Sequence, residues 1–240
     1  MKSLKILVVT LLCLGTVTVA EAQIRKRVKG SGNIKTETRN VKDFTGVKTA
    51  TAIDILLSQG DSFSVEVEAD DNIIENIVTE VKDGVLSVYI DGINLTWASK
   101  RIVHVTMKEI DYIRASSAGD VIGQTPIKAD VLKIRTSSAG DVKLEVFANK
   151  LDLETSSSGD ITLSGEADYL EASTSSAGDI KAYELTVKEA DISASSAGDV
   201  KITVTERLIA RASSAGDIYY MGNPEKVDAR SSSAGDVVRK

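Results

Sequence analysis

The chain has 240 residues, 42% of them hydrophobic, only 4% aromatic and 27% charged, with a formal net charge of −6. That length and apolar content suffice for one or two domains with a real core, and two prolines in the whole chain argue against a disordered tail. The acidic balance disfavours nucleic acid as a partner, because binding phosphate needs a basic surface.

Residues 1–22 read as a signal peptide. Lys2 and Lys5 form a positive n-region, Leu4 to Ala20 an apolar run, and Ala20-Glu21-Ala22 an A-x-A cleavage site, so the mature chain is expected to start at Gln23. The run is short for a membrane span; the alternative is an uncleaved anchor. Cys13 lies inside this segment and follows Leu12, where a lipoprotein signal wants a small residue. Beyond it the chain has no cysteine, hence no disulfide, thiol chemistry or Cys-based metal site. Without residues 1–22 the chain carries 27 positive against 34 negative residues. Residues 23–32 form a leader, in which Arg25-Lys26-Arg27 reads as a solvated stretch rather than a binding patch.

Residues 33–110 read as a β-rich cap region containing one short helix. Alternation predicts strands at 51–58, 63–69, 85–91 and 101–107. Asp70 or Asp71 would cap the helix, with Ile73, Ile74, Ile77 and Val78 on one face. Asp83-Gly84 predicts a hairpin turn. Gly30-Ser-Gly-Asn-Ile34 looks like a degenerate version of the corners that follow, and Ala52-Ile-Asp54-Ile55 sits in a similar context.

Residues 111–240 are a repeat. Ser-Ser-Ala-Gly-Asp, or Ser-Ser-Ser-Gly-Asp, occurs seven times, with its aspartates at Asp120, Asp141, Asp160, Asp179, Asp199, Asp217 and Asp236, spaced by 21, 19, 19, 20, 18 and 19 residues. Every aspartate is followed by Val or Ile, and the flanks alternate, as in Leu132-Lys-Ile134-Arg. Period-two alternation around a Gly-Asp turn means strand, corner, strand, and a circuit of about 20 residues that returns to its start is one coil of a parallel β-helix or β-roll. Seven coils at about 4.8 Å each give a rod roughly 30 Å long. The segment that closes each circuit, such as 145–150, is read as a connection. Ala115, Thr136, Thr155, Thr174, Ala194, Ala212 and Ser231 form an inward column, and the first serines an outer hydroxyl ladder. The alanines from Ala118 to Ala234 (Ser158 in one coil) are read as small residues that keep the narrow interior open at the corner. The glycines, Gly119 to Gly235, are read as the positive-φ positions.

Stacked carboxylates about 5 Å apart repel by about 0.8 kcal/mol per pair in water, so something offsets the aspartate column. Backbone N–H groups, helped by Lys143, Lys181 and Lys201, are one answer; a Ca²⁺ ion held between coils by the seven aspartates is the other. No further cofactor is expected. His104, the only histidine, reads as an ordinary strand residue. There is no G-x-S-x-G elbow, and a residue repeated seven times in one register is architecture rather than a catalytic site, so no catalytic residue is assigned. Trp97, Tyr89 and Tyr112, with Tyr219 and Tyr220 further on, are the candidate ligand-stacking aromatics.

The Phe44-Thr-Gly-Val47 lead-in, Gln59-Gly60-Asp61, Asp83-Gly-Val-Leu-Ser-Val88 and the Ser-Ala-Gly-Asp turns come in an order that resembles the bacterial auto-transporter adhesin head domain, the GIN domain, over residues 33–238. The resemblance implies one continuous domain, a right-handed β-helix of periplasmic, surface or secreted proteins, with adhesion as its conjectured role and no catalytic residues to carry over. Nothing in the chain resembles a translocating barrel. The leading expectation is therefore an exported, non-enzymatic scaffold that binds a glycan or a protein. The rivals are a self-assembling envelope protein that forms homo-oligomers through its β-helix ends, and a β-helix carbohydrate-active enzyme.

Overall fold

The computed structural model describes residues 25–240, so the predicted signal segment and Cys13 lie outside the described residues. In the first half, β1 (Lys26–Lys29), β2 (Ile34–Thr38), β3 (Gly46–Thr49), β4 (Asp54–Gln59) and β5 (Ser64–Asp70) precede one 3₁₀ turn (Ile74–Asn76). Then come β6 (Ile77–Lys82), β7 (Val85–Ile90), β8 (Ile93–Trp97) and β9 (Arg101–Met107). The repeat region holds β10 (Tyr112–Ser116), β11 (Val121–Gly123), β12 (Ile127–Ser137), β13 (Val142–Thr155) and β14 (Ile161–Thr174). It ends with β15 (Ile180–Ala194), β16 (Val200–Ala212), β17 (Ile218–Met221), β18 (Lys226–Ser231) and β19 (Val237–Arg239). The molecule is an all-β solenoid of about seven turns with almost no helix.

Each motif spacing reappears as a strand register. Val142 pairs with Ile161, Ile161 with Ile180, Ile180 with Val200 and Val200 with Ile218, all in parallel. The segment read as a connection is itself strand: β13 runs unbroken for 14 residues, and Val146, Phe147 and Ala148 pair with Gly165, Glu166 and Ala167. The apolar phase explains how one strand can turn. In β13 the buried positions are Val142, Leu144 and Val146, then Leu151, Leu153 and Thr155. The step of five between Val146 and Leu151 breaks the period of two, so the strand bends at 147–150 while its ladder continues. Each coil is thus a sharp corner, a strand, a bend and a strand, with aliphatic rows stacked inside.

The corners differ from the expectation in two ways. Positive φ falls on the second serine and the alanine, for instance Ser117 (53°) and Ala118 (60°), and not on the glycine. With Gly119 N–H donating to Ser116 O at 3.1 Å, Ser116–Gly119 has the form of a type I′ turn. The alanine therefore points to solvent rather than into the interior. The glycine is buried and pressed on the coil beneath: a Cβ on Gly140 would lie 2.5 Å from Ser116 N and 2.6 Å from Ala115 C. The left-handed pair turns its amides along the rod, so that Ala118 N–H donates to Ser138 O and Ala177 N–H to Ser196 O, both at 3.1 Å. The ladder thus crosses the corner instead of stopping there.

The inward column is as expected apart from Ser231, which is exposed. Its threonines are buried but satisfied: Thr136 Oγ1 donates to Thr155 Oγ1 at 2.7 Å, and Thr155 and Thr174 donate to Gly159 O and Gly178 O. The first serines, expected on the outer face, are half-buried from Ser116 to Ser213 and exposed only at Ser232.

The predicted strands of the N-terminal half are β4, β5, β7 and β9, and Asp83-Gly84 makes the β6–β7 hairpin with φ of 52° and 75°. β3 and β4 continue the parallel rungs by pairing with β10 and β11. β5 and β6 pair antiparallel with β9 and β7, and β2 antiparallel with β5. The expected helix is corrected to the single 3₁₀ turn: no side chain caps it, and Ile77 and Val78 belong to β6. Asp70 is engaged elsewhere, as is Gly30-Ser-Gly-Asn33, which is no coil corner but wraps that carboxylate. Thr51 and Ala52, at φ 59° and 56°, form the related corner. Arg25–Arg27 is exposed, as expected, but it is no trailing leader, since Lys26–Lys29 is a strand parallel to β8.

Candidate functional site

The aspartate column is a hydrogen-bonded ladder. The N–H of each aspartate donates to Oδ1 of the one before: Asp141 to Asp120, Asp160 to Asp141, Asp179 to Asp160, Asp199 to Asp179, Asp217 to Asp199 and Asp236 to Asp217, at 2.9–3.2 Å. Asp120 N–H reaches Asp54 Oδ1 at 3.3 Å, so Asp54 is an eighth member. Lys181 Nζ lies 2.5 Å from Asp160 Oδ2. Burial, with the neighbouring carboxylates adding to it, pushes Asp120, Asp141 and Asp199 above the ordinary carboxylate range. Groups raised in this way contribute stability that is complete below the unfolded value near pH 4 and is lost as pH rises through their folded values. Their ionisation at neutral pH is therefore a cost. Asp141→Asn keeps the acceptor and removes the charge, so it is expected to raise the melting temperature at pH 7, while Asp141→Ala orphans the Asp160 N–H and costs about 1 kcal/mol. A Ca²⁺ ion would have to share Oδ1 with these amides. The same melts with and without Ca²⁺ test it, and among the described residues no group of three or more His, Cys, Asp or Glu side chains is gathered as a metal site.

The candidate aromatics are dispersed over the fold. Tyr89 donates to Glu80 Oε1 at 3.0 Å across the β6–β7 hairpin, and Tyr112 covers Gly46. Trp97 is 49% exposed on β8 with Lys29 Nζ 5.5 Å from its ring. Tyr219 donates to Asp217 Oδ2 at 2.8 Å, a bond that pushes its phenol up to about 12, and Lys240 Nζ lies 4.7 Å from its ring; Tyr220 packs on the core margin. Phe44 and Phe63 pack as a tilted aromatic pair, with ring centroids 5.0 Å apart. His104 faces Glu68 at 3.3 Å.

A long concave feature lies where no motif pointed, along the bends of successive coils. Ala129, Ala148 and Ala167 stack in register as its floor. Lys128, Phe147, Glu166 and Thr186 form one wall; Asp130, Asn149, Asp168 and Lys188 form the other. The groove has a volume of about 770 Å³ and reaches Thr205 and Glu206, crossing five coils, about 20 Å. Its second wall is ordered from within: Asn149 Nδ2 donates to Asp130 Oδ1 at 2.6 Å, and Lys188 Nζ lies 2.6 Å from Asp168 Oδ1. Four carboxylates and two ammonium groups line it with one aromatic ring over small apolar residues. The buried phase breaks by five residues in β12, from Ile127 to Leu132, and in β13, from Val146 to Leu151, but by three in β15 and by four in β16, so no constant step marks the groove along the chain.

The fold and the groove define a β-solenoid with a polar groove running across the bends of successive coils. The chain belongs to the family described as putative auto-transporter adhesin, head GIN domain, whose profile matches residues 43–224. The fold is shared with solved structures of putative adhesins. That from Bacteroides fragilis NCTC 9343 has 24% identity and TM-score 0.84, covering 89% of this chain and all of that one. Those from Parabacteroides merdae ATCC 43184 (27% identity; 90% and 99% covered) and Parabacteroides distasonis ATCC 8503 (26%; 90% and 100%) both have TM-score 0.73. No curated protein matches.

Proposed function

We propose that the protein is an exported, non-enzymatic adhesion module of the bacterial envelope that takes an extended glycan along the bend groove. The observation that carries this reading is the groove itself: an alanine floor with Phe147 beside it, and facing rows of carboxylate, ammonium, amide and hydroxyl groups drawn from successive coils. A sugar chain offers the matching chemistry, apolar ring faces for the floor and hydroxyls for the polar rows. Family membership supports adhesion as the role. The spread of polar groups over five coils along a repeated alanine floor favours recognition of an extended ligand over chemistry at one bond. No helix among the described residues is long and apolar enough to cross a membrane.

A glycan array followed by calorimetry on the best linear oligosaccharide tests the reading. Phe147→Ala is expected to weaken binding about fivefold, the worth of one stacked ring. Asp168→Ala, which also releases Lys188, should weaken it further. Equal binding by wild type and both variants removes the groove from the function.

A further inference from the structure

The β1–β8 ribbon stands apart from the solenoid sheet and concentrates features that the groove does not use. Four of the five residues Arg25–Lys29 are basic, in a chain whose net charge is negative. β1 lies parallel to β8, with Lys26 opposite Ile93, Arg27 opposite Asn94, Val28 opposite Leu95 and Lys29 opposite Trp97. Val28, Ile93 and Leu95 pack against the core, which fixes the ribbon and leaves the other face outward. On that face Arg27, Lys29 and the half-exposed Trp97 stand together, with Lys29 Nζ 5.5 Å from the indole. Among the described residues only Arg25 of the four cations is ion-paired, to Asp91 at 3.3 Å. Thr96 Oγ1 and Asn72 Nδ2 donate to the carbonyls of Val28 and Lys29, so the basic strand is held in place rather than trailing.

We infer that this ribbon is a docking surface for an anionic lipid membrane, with Arg27 and Lys29 meeting headgroup phosphates, the exposed Lys26 adding to the local positive charge, and Trp97 entering the interfacial layer. The charge complementarity is local and opposite to that of the whole protein, so attraction would orient the molecule ribbon-first. Lys and Arg near an anionic bilayer surface each contribute about 1 kcal/mol, and tryptophan prefers the headgroup level because its body is apolar and its N–H polar. The inference does not depend on what occupies the groove.

Trp97 is the only tryptophan in the chain, so its fluorescence reports on the ribbon alone. The full chain is titrated with phosphatidylglycerol–phosphatidylcholine vesicles and with phosphatidylcholine vesicles, at low and high salt, and separately with inorganic phosphate. The expected result is a blue shift and co-sedimentation with the anionic vesicles only, lost at high salt. Lys26→Gln/Arg27→Gln/Lys29→Gln is expected to lower vesicle affinity on the order of a hundredfold while the thermal melt stays unchanged. No shift with anionic vesicles, an equal shift with neutral ones, saturation by inorganic phosphate alone, or full binding by the triple variant would each overturn it.

Discussion

Gly140→Ala is expected to destabilise the protein by about 3 kcal/mol, and Ala139→Gly, one residue earlier, to leave it unchanged or slightly more stable. The added methyl at residue 140 meets Ser116 N, Ala115 C and Ser116 Cα at 2.5–2.7 Å. All three atoms are backbone of the coil beneath, whose strand is bonded to further coils on its other side, so the clash cannot be relieved by a rotamer change. Either the corner lifts away and loses its amide bonds, or the rung below shifts with it. Ala139 has the opposite situation. It is exposed and sits at φ 59°, a conformation that costs an L-residue about 1 kcal/mol and glycine nothing. The gain is offset by the roughly 0.4–1 kcal/mol that glycine adds to unfolded-chain freedom. Urea unfolding of the two variants, compared by midpoint at unchanged slope, measures the contrast. Should Ala139→Gly prove the more damaging, the close-approach account is wrong.

That contrast shows what could and could not be read from the residues. The spacing of the seven Gly-Asp pairs predicted the coil, and the β-branched residue after each aspartate predicted where its strand restarts, because stacking in register demands one residue type per column. Which corner residue takes the left-handed conformation was not legible. Glycine is the usual occupant of such a position, but here a second constraint, backbone touching backbone between coils, claims it first. Asp54 escaped notice as a ladder member because Ile53 stands where the motif has glycine. The groove was hidden for a different reason: its walls sit at positions that change from coil to coil, so repetition, the strongest signal in the chain, could not mark them. The aromatics, picked for their chemistry one at a time, lie on strands that the topology keeps apart. Arg25–Arg27 looked like leader because nothing local distinguishes a solvated basic run from a strand whose partner lies over sixty residues away in β8.

Asp70 governs that distant junction, and Asp70→Ala is expected to cost about 3–5 kcal/mol, concentrated in the N-terminal half. The carboxylate is fully buried without a cation bonded to it. Its Oδ1 accepts from Gly32 N–H at 2.6 Å and Ser99 Oγ at 2.8 Å, and its Oδ2 from the N–H groups of Ser99 and Lys100 at 2.9 and 3.2 Å. Gly30 carries no side chain against it, since a Cβ there would lie 2.6 Å from Oδ1. One side chain thus clamps the segment after β1 and the segment after β8 onto the end of β5. Alanine would leave four donors, the N–H groups of Gly32, Ser99 and Lys100 and the Ser99 hydroxyl, without the acceptor that gathers them. Desolvation works to push the Asp70 carboxyl up, but the bonds from Gly32, Lys100 and Ser99 together outweigh it and hold it below the ordinary range. A depressed group contributes stability that is present above the unfolded value near pH 4 and is lost as pH falls through its folded value. The raised ladder groups act in the reverse sense above pH 4, so stability should climb from pH 7 toward mildly acidic pH and then fall as Asp70 is protonated. Because a stack of coils exchanges energy only between neighbours, the damage should stay local. Hydrogen exchange at neutral pH should show Asp70→Ala losing protection at 26–29 and 93–97 while 142–212 keeps it, and uniform loss along the rod would show instead that the ribbon and the solenoid unfold as one unit.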